Sequence, residues 1–194
     1  MKKLILDAAM QLFKKNGFEE ISIRKIADII EYSPTTIYLH FSSKDEILYA
    51  LHEQGFHLLD KVFEPLLEIK DPIERIQKFG EDYMNFGLSN PEYYDLMFLQ
   101  NGPLDALMKE GEEEWKSGDH AFAYLVQATQ EVVNQHPKVG VDPLTMAYAL
   151  WSMVHGFVTL QLTDRLCWYS DDLKVKEQAG FLALQWISAL IRKS

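Results

Sequence analysis

Only one of the 194 residues is a cysteine, Cys167, so the chain cannot form an internal disulfide. A single cysteine also cannot supply the several thiolates of a structural metal site. The first residues lack the apolar core and the small-residue cleavage site of a secretory signal peptide. These absences favour a protein of the reducing cytoplasm.

Glycine and proline are scarce, at 10 and 7 residues, and no segment alternates apolar and polar residues as a strand does. Apolar residues recur instead at helical spacing, as at Ile5, Ala8, Ala9, Leu12 and Phe13. Three later helix starts carry an N-cap acceptor followed by proline. These pairs are Asp71-Pro72, Asn90-Pro91 and Asp142-Pro143. The sequence therefore predicts an all-α fold of about nine helices.

Signals of catalysis and of metal binding are weak. His52 and His57 lie in a segment that resembles a zinc-protease motif, but a five-residue spacing places them about 140° apart around a helix. No histidine follows a glutamate by three residues, which excludes the di-iron signature of helical bundles. We expect no catalytic residue, metal or cofactor, and the chain is not predicted to be an enzyme.

One segment, residues 143–163, contains no Asp, Glu, Lys or Arg and is long enough to span a bilayer. Polar residues such as Thr145, His155 and Gln161 interrupt its apolar character. That mixture favours a helix buried on most sides by protein over a membrane span.

Acidic residues exceed basic ones, giving a formal net charge of −10. Residues 1–50 hold seven of each sign, so the whole excess lies in residues 51–194. This distribution excludes a basic coat for nucleic acid but not a local DNA site. It predicts a small N-terminal module, residues 1–48, and a larger helical domain, residues 49–194, which share one long helix. The acidic run at 110–114 is predicted to be a solvated face or a helix–helix junction.

Residues 22–41 carry the pattern that points to function. Ser22 and Ser33 are suitable N-caps for two short helices, and Pro34 suits the first position of the second helix. Two helices joined by a tight turn form a helix-turn-helix, whose second helix enters the major groove of DNA. Arg24 and Lys25 lie in the first turn of their helix, where cations oppose the helix dipole and a phosphate would offset the repulsion.

The residue pattern over 5–48 resembles the TetR family of bacterial transcriptional regulators. The matching positions are Ile5, Ala8-Ala9, Leu12-Phe13, Gly17-Phe18, Ser22-Ile23, Ile26-Ala27, Ser33, Tyr38, His40-Phe41, Lys44 and Leu48. The resemblance implies a homodimer with an N-terminal three-helix DNA-binding module and a C-terminal helical domain for ligand binding and dimerisation. It also implies repression that ends when a small molecule binds.

The same resemblance implies a set of DNA contacts. Residues placed against the sugar-phosphate backbone, the bases or nearby phosphates are Ser22, Arg24, Ser33, Thr35, Thr36, Tyr38, His40 and Lys44. The family often has Ala-Gly in the turn, where this chain has Ile30-Glu31. A left-handed Glu31 would cost about 1–2 kcal/mol relative to glycine, and its charge would lie close to DNA.

A weaker resemblance joins Trp151, His155 and Gly156 to a C-terminal subclass named for Trp, His and Gly. Trp151 and His155 share a helix face, either packed in the core with His155 hydrogen-bonded or forming the wall of a ligand pocket. The predicted pocket residues are mostly aromatic. They are Phe56, Phe63, Phe86, Met97, Trp115, Phe122, Trp151 and His155.

The last two helices, about 143–166 and 171–192, are apolar on more faces than one core can use. They are predicted to pair with a second copy in a four-helix interface. The candidate contacts are Leu184, Ile187, Leu190 and Ile191.

Together these patterns predict a DNA-binding transcriptional regulator. The favoured form is a cytoplasmic homodimeric repressor that leaves a near-palindromic operator when a small apolar or aromatic ligand binds. The alternative is a helical small-molecule-binding protein or enzyme with a vestigial DNA module, because residues 1–50 are electrically balanced and Glu31 adds negative charge. The expected partners are duplex DNA, a small-molecule effector and a second copy, without a membrane.

Overall fold

The computed structural model describes residues 1–100, 116–168 and 173–193. Within these ranges the chain is all-α, as predicted, with nine α-helices and no strand. The helices are α1 (Lys2–Asn16), α2 (Ile23–Ile30), α3 (Pro34–Tyr38), α4 (Lys44–Phe63), α5 (Pro72–Ser89), α6 (Pro91–Tyr94), α7 (Lys116–Gln135), α8 (Pro143–Leu162) and α9 (Leu173–Lys193). A π-helical turn at Asp95–Leu99 follows α6. The acidic run at 110–114 and Trp115 lie outside the described residues.

The predicted side-chain caps at Asp71 and Asp142 are formed. The Asp71 carboxylate accepts the Ile73 N–H at 2.9 Å, and the Asp142 carboxylate accepts the Thr145 N–H at 2.8 Å. Pro72, Pro91 and Pro143 each occupy the first helical position, where the missing N–H has no helical partner to lose.

Helix α1 ends at Gly17, but not with a left-handed helical cap. The φ of Gly17 is 83°, but its ψ is 175°, so the chain leaves the helix in an extended rather than a left-handed helical conformation. The Gly17 N–H still donates to the Phe13 carbonyl at 2.8 Å. Only glycine adopts this backbone conformation without a steric cost.

The chain forms two compact units. The first unit comprises Met1–His57 and Glu92–Ser117, and the second comprises Leu58–Pro91 and Gly118–Ser194. The division thus falls inside α4, between His57 and Leu58, and the chain returns to the first unit after α5. The sequence-based boundary at residue 48 stays a prediction.

The first unit has a core that joins the three N-terminal helices to α4. Its fully buried side chains include Ile5, Ile26, Ile37, Ile47 and Leu51. Each of α1, α2, α3 and α4 contributes to this set, so each helix depends on the others for its position.

The second unit is built on α5, which packs against both α8 and α9. Gly80 permits one of these contacts, because a Cβ at that position would lie 2.6 Å from a methyl carbon of Leu184. An ion pair forms on another side of α5, where both terminal nitrogens of the buried Arg75 donate to the Glu131 carboxylate, at 3.0 and 3.1 Å.

None of the helices in the described ranges combines the length and the apolar character that a membrane span needs.

Candidate nucleic-acid interface and aromatic cluster

The segment from Ser22 to Tyr38 forms the helix-turn-helix that its caps predict. The Ser22 hydroxyl accepts the Lys25 N–H at 3.3 Å, and the Ser33 hydroxyl accepts the Thr36 N–H at 3.2 Å. Between the two helices, Glu31 has φ 59° and ψ 38°, which is the left-handed conformation that the turn requires. Because Glu31 has a Cβ atom, this left-handed conformation carries a steric cost that glycine would not have.

Helix α3 is anchored by one side and open on the other. Ile37 is fully buried, and Phe41 just beyond the helix is 3% exposed. Between them, Tyr38 is 55% and Leu39 is 77% exposed, while His40 is half-buried. Thr35 at the start of α3 is also exposed, and Thr36 is half-buried with its hydroxyl 3.0 Å from that of Ser33.

Two cations near this surface already have partners within the first unit. Lys25 forms an ion pair with Glu20, and the hydrogen bond from Lys25 lowers the pKa of that carboxyl. The Lys44 ammonium donates to the Phe18 carbonyl at 3.4 Å. Arg24 lies exposed in the first turn of α2. A phosphate contact by Lys44 would use the ammonium's other N–H groups.

The first unit also contains a groove of about 500 Å³ along α1, α4 and α6. Its walls include Met10, Lys14, Gln54 and Tyr93, and the Tyr93 hydroxyl donates to the Gln54 amide oxygen at 3.4 Å. None of the predicted ligand residues that the structure describes lines this groove.

In the second unit, a hydrogen-bonded chain links α5 to α8. The Trp151 indole N–H donates to the Tyr83 hydroxyl at 3.1 Å, and the same hydroxyl lies 3.0 Å from His155 Nδ1. An indole nitrogen can only donate, so the Tyr83 oxygen accepts from Trp151 and its O–H is left to donate to His155. Burial lowers the pKa of His155, which favours the neutral ring that can accept at Nδ1.

The structure brings only some of the predicted pocket residues together. Phe122 lies 5.6 Å from Trp151, and Trp151 lies 5.5 Å from His155, between ring centres. Phe63 packs on Phe79 at 5.0 Å within the same unit. The remaining described members are buried: Phe86 in the second unit, and Phe56 and Met97 in the first. Their role in ligand binding stays a prediction.

The predicted dimer contacts on α9 are mostly turned into their own unit. Leu184 and Ile191 are buried, Ile187 is half-buried, and the side chain of Leu190 lies outside the described residues. Among the side chains of α9 that the structure describes, Leu182 and Trp186 are the exposed large apolar ones, and Trp186 is 64% exposed.

Two residues of these sites were missed by the sequence-based reasoning. Tyr83 lies 72 residues from His155 and carries no motif of its own, so only the tertiary structure shows that the two are hydrogen-bonded. The sequence contains a weak indication that Leu39 is exposed. Leu39 lies two residues from Ile37 and two from Phe41, and an amphipathic pattern places both of these neighbours in the core.

Two family profiles match the chain. Residues 5–51 match the profile described as "Bacterial regulatory proteins, tetR family". Residues 76–177, more than half of the chain, match the profile described as "Tetracyclin repressor-like, C-terminal domain". The chain belongs to the TetR family. The Trp-His-Gly subclass is not specified by either description and stays a prediction.

Among curated relatives, the HTH-type transcriptional regulator UidR of Escherichia coli K12 is 35% identical over 102 residues, which cover 45% of this chain and 52% of UidR. The chain thus spans about half the length of the curated relatives it matches. Among solved structures, the TetR family regulator PfmR of Thermus thermophilus superposes with a TM-score of 0.70 at 24% identity, covering 95% of this chain and 97% of PfmR. The regulator FadR of Bacillus subtilis, solved in complex with stearoyl-CoA, superposes at 0.72 with 18% identity and the same coverage. These two structures share the fold of this TetR family member.

Proposed function

We propose that this TetR family chain is a cytoplasmic, homodimeric transcriptional repressor that binds a near-palindromic DNA operator and leaves it when a small apolar or aromatic ligand binds. Residues 1–48 are its DNA-binding domain and residues 49–194 its ligand-binding and dimerisation domain. The observation that carries the proposal is α3, which is held by a buried Ile37 and presents Thr35, Tyr38 and Leu39 to solvent.

The proposed DNA contacts divide by chemistry. Ser22 and Arg24 at the start of α2, with Tyr38, His40 and Lys44, face phosphates. Ser33, Thr35 and Thr36 at the start of α3 face base edges or nearby phosphates. Because Lys25 is paired with Glu20, Arg24 and Lys44 are the cations among the proposed contacts that are left to neutralise phosphates. We therefore expect the affinity to depend less steeply on salt than in a strongly basic DNA-binding protein.

Dimerisation through α8 and α9 supplies the second recognition helix. The exposed apolar side chains on these helices support this surface: Leu144, Tyr148 and Leu160 on α8, and Leu182 and Trp186 on α9. Ile187 is half-buried, whereas Leu184 and Ile191 are buried within their own unit. Two α3 helices then reach half-sites about 34–36 Å apart, one turn of DNA.

The ligand is proposed to bind in the second unit beside the aromatic cluster of Phe122, Trp151 and His155. The Phe122 ring lies 5.1 Å from Tyr148 and 5.6 Å from Trp151, between ring centres, and these rings provide an apolar wall. The hydrogen bond to Tyr83 fixes the orientation of the Trp151 ring. A ligand weakens DNA binding only if it binds better to the form in which the α3 helices are misplaced. Helix α4 is continuous from Lys44 to Phe63 and is the proposed transmitter.

A mobility-shift assay with the DNA upstream of the protein's own gene tests the function. We expect sequence-specific binding by the wild type and binding weakened about tenfold or more by Tyr38→Ala or Arg24→Ala, since each removes a contact to a charged phosphate. Lys138→Ala is the matched control, because Lys138 is an exposed cation in the second unit. Circular dichroism of each variant checks that it is folded.

Two results would contradict the proposal. A wild type that binds this DNA no better than unrelated DNA would favour the alternative, a helical small-molecule-binding protein or enzyme with a vestigial DNA module. Equal losses for Arg24→Ala and Lys138→Ala would show that binding is a general charge effect rather than a contact at α2.

A further inference from the structure

The composition of the α3 surface limits how it can read DNA. Residues 33–40, SPTTIYLH, contain no Arg, Lys, Asn, Gln, Asp or Glu. Specific hydrogen bonding in the major groove depends mainly on Arg or Lys to guanine, Asn or Gln to adenine, and Asp or Glu to cytosine. The strongest pairings with three of the four bases are therefore absent from this segment of the sequence.

Methyl-bearing side chains occupy the open face instead. Thr35 and Leu39 are four residues apart, and the backbone of Leu39 keeps helical dihedrals, with φ −70° and ψ −15°, so the two side chains share one face. Both are exposed, Leu39 at 77%. No other large apolar side chain among the described residues is as exposed.

The position of Leu39 is fixed by its neighbours. Ile37 on one side is fully buried and Phe41 on the other is 3% exposed, so the core holds both ends of this short segment. The Ile37 carbonyl also accepts the N–H groups of His40 and Phe41, at 2.8 and 3.0 Å. Leu39 therefore cannot turn inward without displacing Ile37 or Phe41. An isolated exposed leucine is common on protein surfaces, but this one stands on the helix proposed to enter the groove.

In the major groove, the apolar group that distinguishes one base from the others is the C5 methyl of thymine. A five-residue helix is about 7.5 Å long, so both its ends fit within a groove about 12 Å wide. Thr35 and Leu39, on one face near the two ends, can therefore each contact a methyl.

We propose that α3 reads its operator chiefly through thymine methyl groups, with Leu39 contacting one thymine and Thr35 a second in each half-site. The inference rests on the proposed DNA-binding function and specifies which bases that function recognises. It makes Leu39 a specificity-determining residue, although it forms no hydrogen bond through its side chain.

Selection from a randomised duplex library tests the inference. We expect the wild type to enrich a half-site with at least two thymines. Each selected thymine is then replaced by deoxyuridine, which removes only the methyl group, and affinity is measured by fluorescence anisotropy. Two replacements in a half-site should each weaken wild-type binding about fourfold, the effect of removing one methyl group from an apolar contact.

Variants assign the two methyls to side chains. Leu39→Ala should lose the deoxyuridine penalty at one position and keep it at the other, and Thr35→Ser, which keeps the hydroxyl, should show the reverse. Leu4→Ala is the matched control, since Leu4 is an exposed leucine on α1 of the same unit. It should keep both penalties.

The failures are distinguishable. If the wild type enriches no sequence, the proposed DNA-binding function is wrong. If it enriches a sequence but binds the deoxyuridine duplexes as tightly as the thymine ones, DNA binding stands and methyl readout is overturned. Methyl readout by these two residues is also overturned if Leu39→Ala and Thr35→Ser keep both penalties. The wild-type measurement needs no variant, so a poorly folded variant does not leave the inference undecided.

Discussion

Helices α3 and α5 differ in the surroundings of their side chains. In the first unit, α3 buries Ile37 and presents Thr35, Tyr38 and Leu39 to solvent. In the second unit, α5 buries two side chains with polar groups and pairs them, Arg75 with Glu131 and Tyr83 with Trp151 and His155. The exposed side chains of α3 gain their interactions only when a partner binds. The buried polar groups of α5 already have hydrogen-bond partners within the unit.

This difference separates two properties of the protein. A buried polar group that loses its partner keeps its desolvation penalty, so substitutions along α5 should lower the free energy of unfolding. Substitutions on the open face of α3 remove few contacts within the chain and should change DNA affinity at nearly constant stability. Substitutions at Arg75, at two helical glycines, at Glu31 and at His155 test that separation, in order of decreasing expected effect.

Arg75→Leu should be the most damaging of these changes. It removes two donors from the Glu131 carboxylate and a third hydrogen bond, from Arg75 Nε to the Ile69 carbonyl at 2.9 Å. Breaking a buried ion pair costs about 3–5 kcal/mol, and we expect about 3 kcal/mol, since water reaches the Glu131 side chain, which is 33% exposed. Urea denaturation measures the change.

Two further variants test the cause. The double variant Arg75→Leu/Glu131→Leu removes both charges and should recover most of the lost stability. Arg24→Ala removes the same charge from an exposed site and should change the unfolding free energy by less than about 0.5 kcal/mol. Equal losses for the single and double variants would show that the arginine acts through packing rather than through the ion pair.

Two helical glycines of the second unit should respond in opposite directions. A Cβ at Gly80 would overlap the buried Leu184, so Gly80→Ala should destabilise by about 2 kcal/mol through overpacking. A Cβ at Gly156 meets nothing within 4 Å, so Gly156→Ala should stabilise by about 1 kcal/mol through helix propensity. Thermal denaturation of both variants measures the difference.

Gly156 also tests the proposed ligand and dimer surfaces of this unit. A Cβ at this glycine has open space within the protomer, so packing inside the protomer does not require glycine there. If Gly156→Ala destabilises the protein in a concentration-dependent manner, a second copy must occupy that space. A loss that does not depend on protein concentration would show that the helix itself needs glycine.

The parts of the fold that the sequence predicted well are set by local rules. Helix starts at Asp71 and Asp142 follow from caps, and the turn at Glu31 follows from the spacing of Ser22 and Ser33. The missed interactions join distant residues. Arg75 lies 56 residues from Glu131, and no periodicity along one helix identifies a partner on another.

At the candidate sites too, features set within one helix could be predicted from the sequence, whereas contacts between distant residues could not. The exposure of Tyr38 follows from its own helix, because Ile37 fixes which side faces the core. The partner of Lys44 does not, since Phe18 lies 26 residues away and reaches it only through the folding of the first unit. For α9, the sequence showed an excess of apolar residues but not which of them the unit itself buries.

Glu31 connects stability to DNA affinity and should therefore blur the separation between the two regions. Glu31→Gly removes the cost of a left-handed non-glycine residue and should stabilise by about 1 kcal/mol. Glu31→Gln keeps that backbone cost but removes the charge. Both should bind DNA more tightly, whereas only the glycine variant should be harder to unfold. An unchanged affinity for both would mean that the Glu31 carboxylate lies away from the phosphates.

The smallest predicted effect concerns pH and the hydrogen bonds of Tyr83. Burial holds the pKa of His155 below its ordinary value of 6.5, so near pH 6 the unfolded chain binds more protons than the folded one. The free energy of unfolding should then fall as the pH drops below 6.5, and this contribution should level off below the folded-state pKa. Burial also lowers the pKa of His52 in the first unit, so that residue adds to the same trend.

His155→Asn isolates the contribution of the second unit. The asparagine amide oxygen can replace Nδ1 as the acceptor for the Tyr83 hydroxyl but does not titrate, so stability at pH 7 should change little while its decline towards pH 5.5 becomes smaller. His155→Leu removes the acceptor as well and should lower stability at both pH values, by about 1 kcal/mol at pH 7. Thermal denaturation at the two pH values compares these variants. A decline as steep in His155→Asn as in the wild type would assign the pH dependence to other groups, with His52 as the next candidate.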